Sequence, residues 1–188
     1  EVMEDEEVDI VYHNCMIESG KGRKKTNCRH LSYPAYDDLI VNGNTLVTSS
    51  VFLKKAILDK NPFSEEENTL GWEDYELWLR LAKNECKFKL VKETLGFYWL
   101  GEDNFDNPER VLKNISLMEK SILSEYANYS DKKPWWPKYT AGIAYLKSSD
   151  IKAAITSFML VVKSKSPFIY KLKSIYMIMF SIYKYFKV

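Results

Sequence analysis

The spacing of apolar residues changes character once along this chain, and that change limits what the chain can fold into. Up to about residue 100, short β-branched and aromatic runs alternate with short helical segments. Beyond the polar stretch 101–108, every apolar repeat has helical spacing. The expectation is an α/β unit followed by an all-helical C-terminal extension, divided as residues 1–107 and 108–188. A length of 188 residues suits one domain with a helical appendage. A chain that is 46% hydrophobic and 28% charged is neither a disordered tail, a collagen-like repeat nor a multi-span membrane protein.

Within the first part, residues 8–17 (V-D-I-V-Y-H-N-C-M-I) predict a strand, 19–25 a polar loop and 26–33 the returning strand. Pro34 opens a short helix over 35–41, with Asp37 and Asp38 suited to its first turn. A short strand over 45–50 and a helix over 51–58 follow, the latter stopped by Asn61-Pro62. Residues 73–83 (E-D-Y-E-L-W-L-R-L-A-K) predict the strongest helix. Leu77, Trp78 and Leu81 share one face, and Glu76 with Arg80 forms an i,i+4 pair. Strands are expected over 88–91 and 96–100, then helices over 109–127, 138–147, 151–163 and 168–186.

The net charge of +1 conceals a gradient. Six of the first ten residues are acidic (Glu1, Glu4, Asp5, Glu6, Glu7, Asp9), whereas Lys163 to Val188 holds six lysines and no acid. A global charge argument for a nucleic-acid partner therefore fails. The chain opens on Glu1 with no basic-plus-apolar leader, so it reads as a fragment without a secretory signal. Three sparse cysteines fit a reducing, cytoplasmic compartment rather than a disulfide framework. Gly20-Lys21-Gly22 is a turn signal only, since neither a Walker nor a Rossmann spacing follows it.

Four groups of residues could carry chemistry. Glu73 and Asp74 stand at a helix start, where a carboxylate feels the positive end of the helix dipole. A rigidly held carboxylate at a cleft edge is what a general base needs, although acids also simply prefer first turns. A hairpin centred between Lys21 and Gly22 would pair His13 with His30 and Cys15 with Cys28 on one face. Such a quartet could bind zinc, but the spacing is not that of a zinc knuckle. Chance pairing and a cross-strand disulfide are the other readings. The last helix carries Phe168, Leu172, Ile175, Tyr176, Met179, Ile182, Tyr183 and Phe186 on one seam, beside Lys171, Lys173, Lys184 and Lys187. That suits either an interfacial helix on anionic lipid, through residues 167–188, or a terminal helix packed on its neighbour. Trp135-Trp136 could stack on sugars or fill a core.

The stretch from residue 40 to 100 resembles the second half of a family 2-like inverting glycosyltransferase with a GT-A fold. The residues that carry the likeness are Asn44 with Thr48-Ser49-Ser50, then Phe63-Ser64-Glu65, then Trp72-Glu73-Asp74-Tyr75-Glu76-Leu77-Trp78-Leu79-Arg80-Leu81, then Glu93-Thr94-Leu95-Gly96-Phe97-Tyr98. About half the chain is covered. The resemblance implies a partial GT-A-like mixed sheet. It implies Asp74 as the base that takes a proton from an acceptor hydroxyl, Glu73 orienting it or contacting the acceptor, and Trp72, Arg80, Asn44 and Ser49 near the substrate. It also implies a nucleotide-sugar donor, a glycan or lipid-linked acceptor, and a divalent cation (Mg or Mn) held mostly by residues outside this chain. The family's nucleotide pocket and D-x-D motif have no counterpart here, and no histidine follows Tyr98 at the usual place. The chain alone is therefore expected not to turn over. The helical tail is similar to one TPR-like helix pair, with Ala144-Tyr145-Leu146, Asp150-Ile151, Ala153-Ala154, Phe158 and Pro167 carrying the likeness. The expected place of work is the cytoplasmic face of the cell membrane. The competing reading is a non-catalytic helical interaction module with a small α/β cap, zinc-binding if the quartet holds.

Overall fold

Six consecutive residues, Ile10 to Cys15, are buried, polar His13 and Asn14 among them. Burial without alternation marks a strand covered on both faces, and this one organises the sheet. In the computed structural model, which describes residues 7–19, 22–100 and 107–187, it is β1 (Ile10–Ser19). The strand β4 (Phe88–Leu100) runs parallel to β1 along its whole length. Two short strands pair antiparallel with β1: β2 (Gly22–Lys25) with its end and β3 (Val51–Leu53) with its start. Since β4 occupies one edge throughout, β2 and β3 share the other edge end to end. The sheet is mixed, and the chain is an α/β unit followed by helices.

The hairpin differs from the expected one. Its register pairs Met16 with Lys25 and Ser19 with Gly22, so it is centred one residue earlier, between positions 20 and 21, which lie outside the described residues. Gly22 has φ +117°, a conformation that glycine takes without strain. The polar residues expected to form a loop are strand β2, exposed along its length. Residues 26–33 form no strand: the Thr26 amide still bonds the Cys15 carbonyl at 2.8 Å, but beyond it side chains take the backbone groups of Cys28, Arg29 and Ser32. Asn14 Oδ1 accepts the Cys28 amide at 2.8 Å, Thr45 Oγ1 accepts the Arg29 amide at 2.8 Å, and the Arg29 carbonyl accepts the Tyr12 hydroxyl at 2.6 Å. The buried carboxylate of Asp38 accepts the Ser32 amide at 3.0 Å and ion-pairs with Arg29.

Asn14 also acts on the other side of β1, where its Nδ2 donates to the Lys92 carbonyl at 2.7 Å. There β4 accommodates extra residues: His13 pairs with Val91, Asn14 with Thr94 and Cys15 with Gly96. This bulge joins the two strands expected over 88–91 and 96–100 into one. Leu95 in the bulge and Phe97 and Trp99 beyond it stand exposed at alternate positions. Residues 51–53, expected to begin a helix, form β3 because β1 offers them a pairing edge; the helix α2 (Lys55–Lys60) starts later. The stretch expected as a strand over 45–50 ends instead in a 3₁₀ turn, Thr48–Ser50. Two other helices serve this unit. The first, α1 (Ala35–Asn42), follows Pro34. The second, α3 (Glu73–Lys83), buries Leu77, Trp78 and Leu81 as its spacing predicts. A fully buried side chain of that kind contributes roughly 1.5–3 kcal/mol.

The described residues form two compact units. One holds the sheet with α2, α3 and α1 up to Ile40; the other takes Val41–Gly43 and the helices that follow β4. The second unit contains α4 (Pro108–Lys120), α5 (Ile122–Ala127), α6 (Trp136–Lys147), α7 (Ile151–Lys163) and α8 (Phe168–Lys187). The single helix expected over 109–127 is broken at Ser121, whose hydroxyl donates back to the Leu117 carbonyl at 2.8 Å. Asn107 caps α4 and Asp150 caps α7, the latter accepting the Ala153 amide at 3.0 Å. Leu146, Ala154 and Phe158 form a core under Tyr139, Ile143, Met177 and Ile178. Trp135 is buried in this unit rather than presented for stacking on a sugar. Its ring lies 4.3 Å from that of Tyr170, and its Nε1 donates to Asn42 Oδ1 at 3.2 Å. No described helix is long and apolar enough to cross a membrane.

Candidate functional site

Asp74 occupies the first turn of α3, where the helix leaves its earliest amides without intrahelical partners. Its Oδ1 accepts the Tyr75 amide at 2.6 Å, and its Oδ2 accepts the Thr48 hydroxyl at 2.6 Å. The second bond spans 26 positions and brings the T-S-S turn onto the start of the E-D-Y helix. With one donor on each oxygen, the carboxylate is fixed in orientation and keeps lone pairs for a further donor. Sequence reasoning selected Ser49 in this turn; the residue that makes the contact is Thr48, one position earlier. The T-S-S run was the available signal, but it does not say which hydroxyl reaches Asp74. Ser49 is exposed, and Ser50 is buried with its hydroxyl donating to the Val47 carbonyl at 2.7 Å.

The neighbouring residues divide into those beside Asp74 and those occupied elsewhere. Glu73 Oε2 accepts the Gly71 amide at 2.5 Å, closing the turn before α3; Gly71 has φ +89°. Trp72 is buried at the N-cap, its amide donating to the Thr69 carbonyl at 3.0 Å, so it packs the helix start rather than facing an open cleft. Tyr75 donates its hydroxyl to the Leu39 carbonyl at 2.8 Å, which ties α3 to α1. Burial pushes that phenol far up, so it stays protonated at physiological pH. Arg80 forks onto Glu76 with two bonds of 3.0 Å and donates to the Pro62 carbonyl at 2.7 Å. These bonds make it a brace between α3 and the segment before it. Asn44 is exposed, and its Oδ1 accepts the Leu46 amide at 2.9 Å.

The four-residue quartet does not assemble as a cross-strand cluster. His13 is buried, and its Nδ1 bonds the Asn14 carbonyl at 2.8 Å, whereas His30 is exposed. Cys28 donates its thiol to the His13 carbonyl at 3.5 Å. Cys15 and Cys28 are free, and burial pushes both thiols up, which makes them poor nucleophiles at neutral pH. Among the described residues no three His, Cys, Asp or Glu side chains gather as a metal-ligand set. The acidic residues 1–6 lie outside the described residues, as does the loop 101–106. A cavity of about 480 Å³ in the helical unit is lined by Ser149 to Lys152 with Lys184 and Tyr185, and contains none of the residues around Asp74. Comparison with protein-family models, with curated proteins and with solved structures finds no match for this chain.

Proposed function

We propose that this chain supplies the acceptor side of an inverting glycosyltransferase of GT-A-like fold, the donor pocket lying outside these residues. The observation that supports the reading most directly is the Thr48–Asp74 bond of 2.6 Å. It unites two sequence blocks, T-S-S and E-D-Y, on which the resemblance rests. In this reading Asp74 accepts the proton of an acceptor hydroxyl as that oxygen attacks the anomeric carbon of a nucleotide sugar. The bond from that carbon to the diphosphate breaks on the opposite face, the configuration inverts, and the nucleoside diphosphate leaves with the bonding pair. Thr48 and the Tyr75 amide hold the carboxylate in one orientation, which spares the transition state that ordering cost. The described residues offer no ligand set for the divalent cation of the resemblance, so no step here passes through one. The α6–α7 hairpin, with Asp150 capping α7 and Ala154 and Phe158 in its core, is the TPR-like helix pair of this reading.

The test is sugar transfer by the parent protein, assayed with a panel of nucleoside-diphosphate sugars and lipid-linked acceptors. Asp74→Asn keeps the shape and the acceptor for the Tyr75 amide, and its Nδ2 can donate to Thr48 in place of accepting, but it cannot take a proton, so transfer should fall by about 10²–10⁴-fold. Thr48→Val should lower the rate less, about tenfold, since it loosens the carboxylate without removing it. Wild-type rates in a folded Asp74→Asn protein would refute the assignment.

A further inference from the structure

Helix α8 turns its bulkiest apolar residues away from the protein. The face packed inward carries Ser174 and Ser181, both fully buried, with half-buried Tyr170, Met177 and Ile178. At about 100° per residue, the opposite arc of about 160° holds Phe168, Ile169, Leu172, Ile175, Tyr176, Met179, Phe180, Ile182, Tyr183 and Phe186. Every one of these side chains is exposed, Phe186 at 82%. Lys171 borders this arc on one side, Lys173 and Lys184 on the other, and the terminal position Lys187 falls within it. So continuous an apolar band on a 20-residue helix calls for a covering.

Charge says what covers it. Residues 151–188 contain seven lysines and no acid, while residues 1–150 contain 26 acids and 20 basic side chains. The segment is therefore +7 beside a remainder of −6. A second copy docked face to face on α8 would bring two such lysine borders together with no acid between them. An anionic lipid surface suits both components: lysine stems run along the apolar arc and their ammonium heads reach the headgroups. Tyr176 and Tyr183 have the amphipathic rings that favour the membrane interface. We infer that α8 lies in the plane of an anionic bilayer, its Phe168–Phe186 arc immersed at the level of the upper acyl chains. This inference rests on exposure and charge alone and stands independently of the glycosyl-transfer reading.

The experiment is co-sedimentation of the full chain with vesicles of phosphatidylcholine alone, or with about one third phosphatidylserine. Binding should be strong to the mixed vesicles, weak to phosphatidylcholine, and reduced by raised salt. Lys171→Gln with Lys184→Gln should weaken it about 25-fold, at about fivefold per lysine. Met179→Glu with Phe186→Ser should abolish it while leaving the circular dichroism unchanged, since both side chains face solvent. Equal binding by that double variant, or no binding by the wild type, would overturn the inference. So would a wild-type dimer that this variant turns into a monomer, because a second copy would then be the cover.

Discussion

Replacing Asn14 by leucine tests whether one buried amide sets the register of the sheet. Its Nδ2 donates to the Lys92 carbonyl at 2.7 Å across the β4 bulge, and its Oδ1 accepts the Cys28 amide at 2.8 Å on the opposite side. Leucine fills the same volume and orphans both backbone groups. Each orphan costs about 1–3 kcal/mol, and extra apolar burial returns about 1 kcal/mol, so a loss of about 3 kcal/mol is expected. Asn14→Asp provides the sharper signature. It keeps the acceptor for Cys28 but sets a carboxylate oxygen against the Lys92 carbonyl, where only a protonated carboxyl can donate. The folded pKa of the new acid then lies above its unfolded value of about 3.9. A raised folded value means that the native state binds the proton more tightly. Stability is therefore fully present below about pH 4 and lost as pH rises through the folded pKa, at up to about 1.4 kcal/mol per unit. Urea titrations of both variants at pH 4 and 7.5, with hydrogen exchange on peptides from β1 and β4, measure this. A loss under 1 kcal/mol for leucine, or a pH response for aspartate identical to wild type, would refute the reasoning.

Gly142→Ala should destabilise the helical unit by about 1–2 kcal/mol. A Cβ there would stand 2.7 Å from the fully buried Phe158 ring, and the overpacking outweighs the better helix propensity of alanine; thermal melts of Gly142→Ala with and without Phe158→Leu check it, the second change restoring part of the loss. Removing the α7 cap with Asp150→Ala should cost about 1 kcal/mol, read by urea denaturation. Alkaline pH should destabilise the protein. Burial raises Tyr12, Tyr75, Tyr139, Cys15, Cys28 and Cys86 above their ordinary values of 9.0 for the thiols and 10.0 for the phenols. The unfolded chain thus releases protons that the native state keeps, and stability declines as pH rises past about 9. Stability curves from pH 7 to 11, followed with tyrosinate absorbance, would show a flat line if the burial argument fails. Thiol alkylation at pH 8 should reach the half-buried Cys86 before Cys15 or Cys28, and more slowly than a free thiol.

What was legible in the sequence follows from where each residue finds its partners. Helices α3 and α7 are complete in their own windows: first-turn acids or a cap, an apolar face at helical spacing, and a polar stop. Asp74 and Glu73 were therefore locatable as first-turn carboxylates. Thr48 was not, because a bond spanning 26 positions leaves no local trace. The same holds for residues 26–33, whose Cys28, Arg29 and Ser32 amides are bound by Asn14, Thr45 and Asp38, none of them in the segment. Residues 51–53 read as helix until β1 offers them an edge.

Helix α8 fails in a more instructive way. Its apolar seam is legible residue by residue, and the ordinary inference from such a seam is that it faces the core. Yet the core of the helical unit is already filled by Leu146 and Phe158, and α8 adds Met177 and Ile178 to it, with Tyr170 against Trp135. What α8 needs on that face is close approach, and Ser174 and Ser181, one heptad apart and fully buried, provide it. Apolar density along a helix thus measures how much surface must be covered. Which side meets the protein is decided by shape against the neighbouring helix, a property of the fold and not of the period.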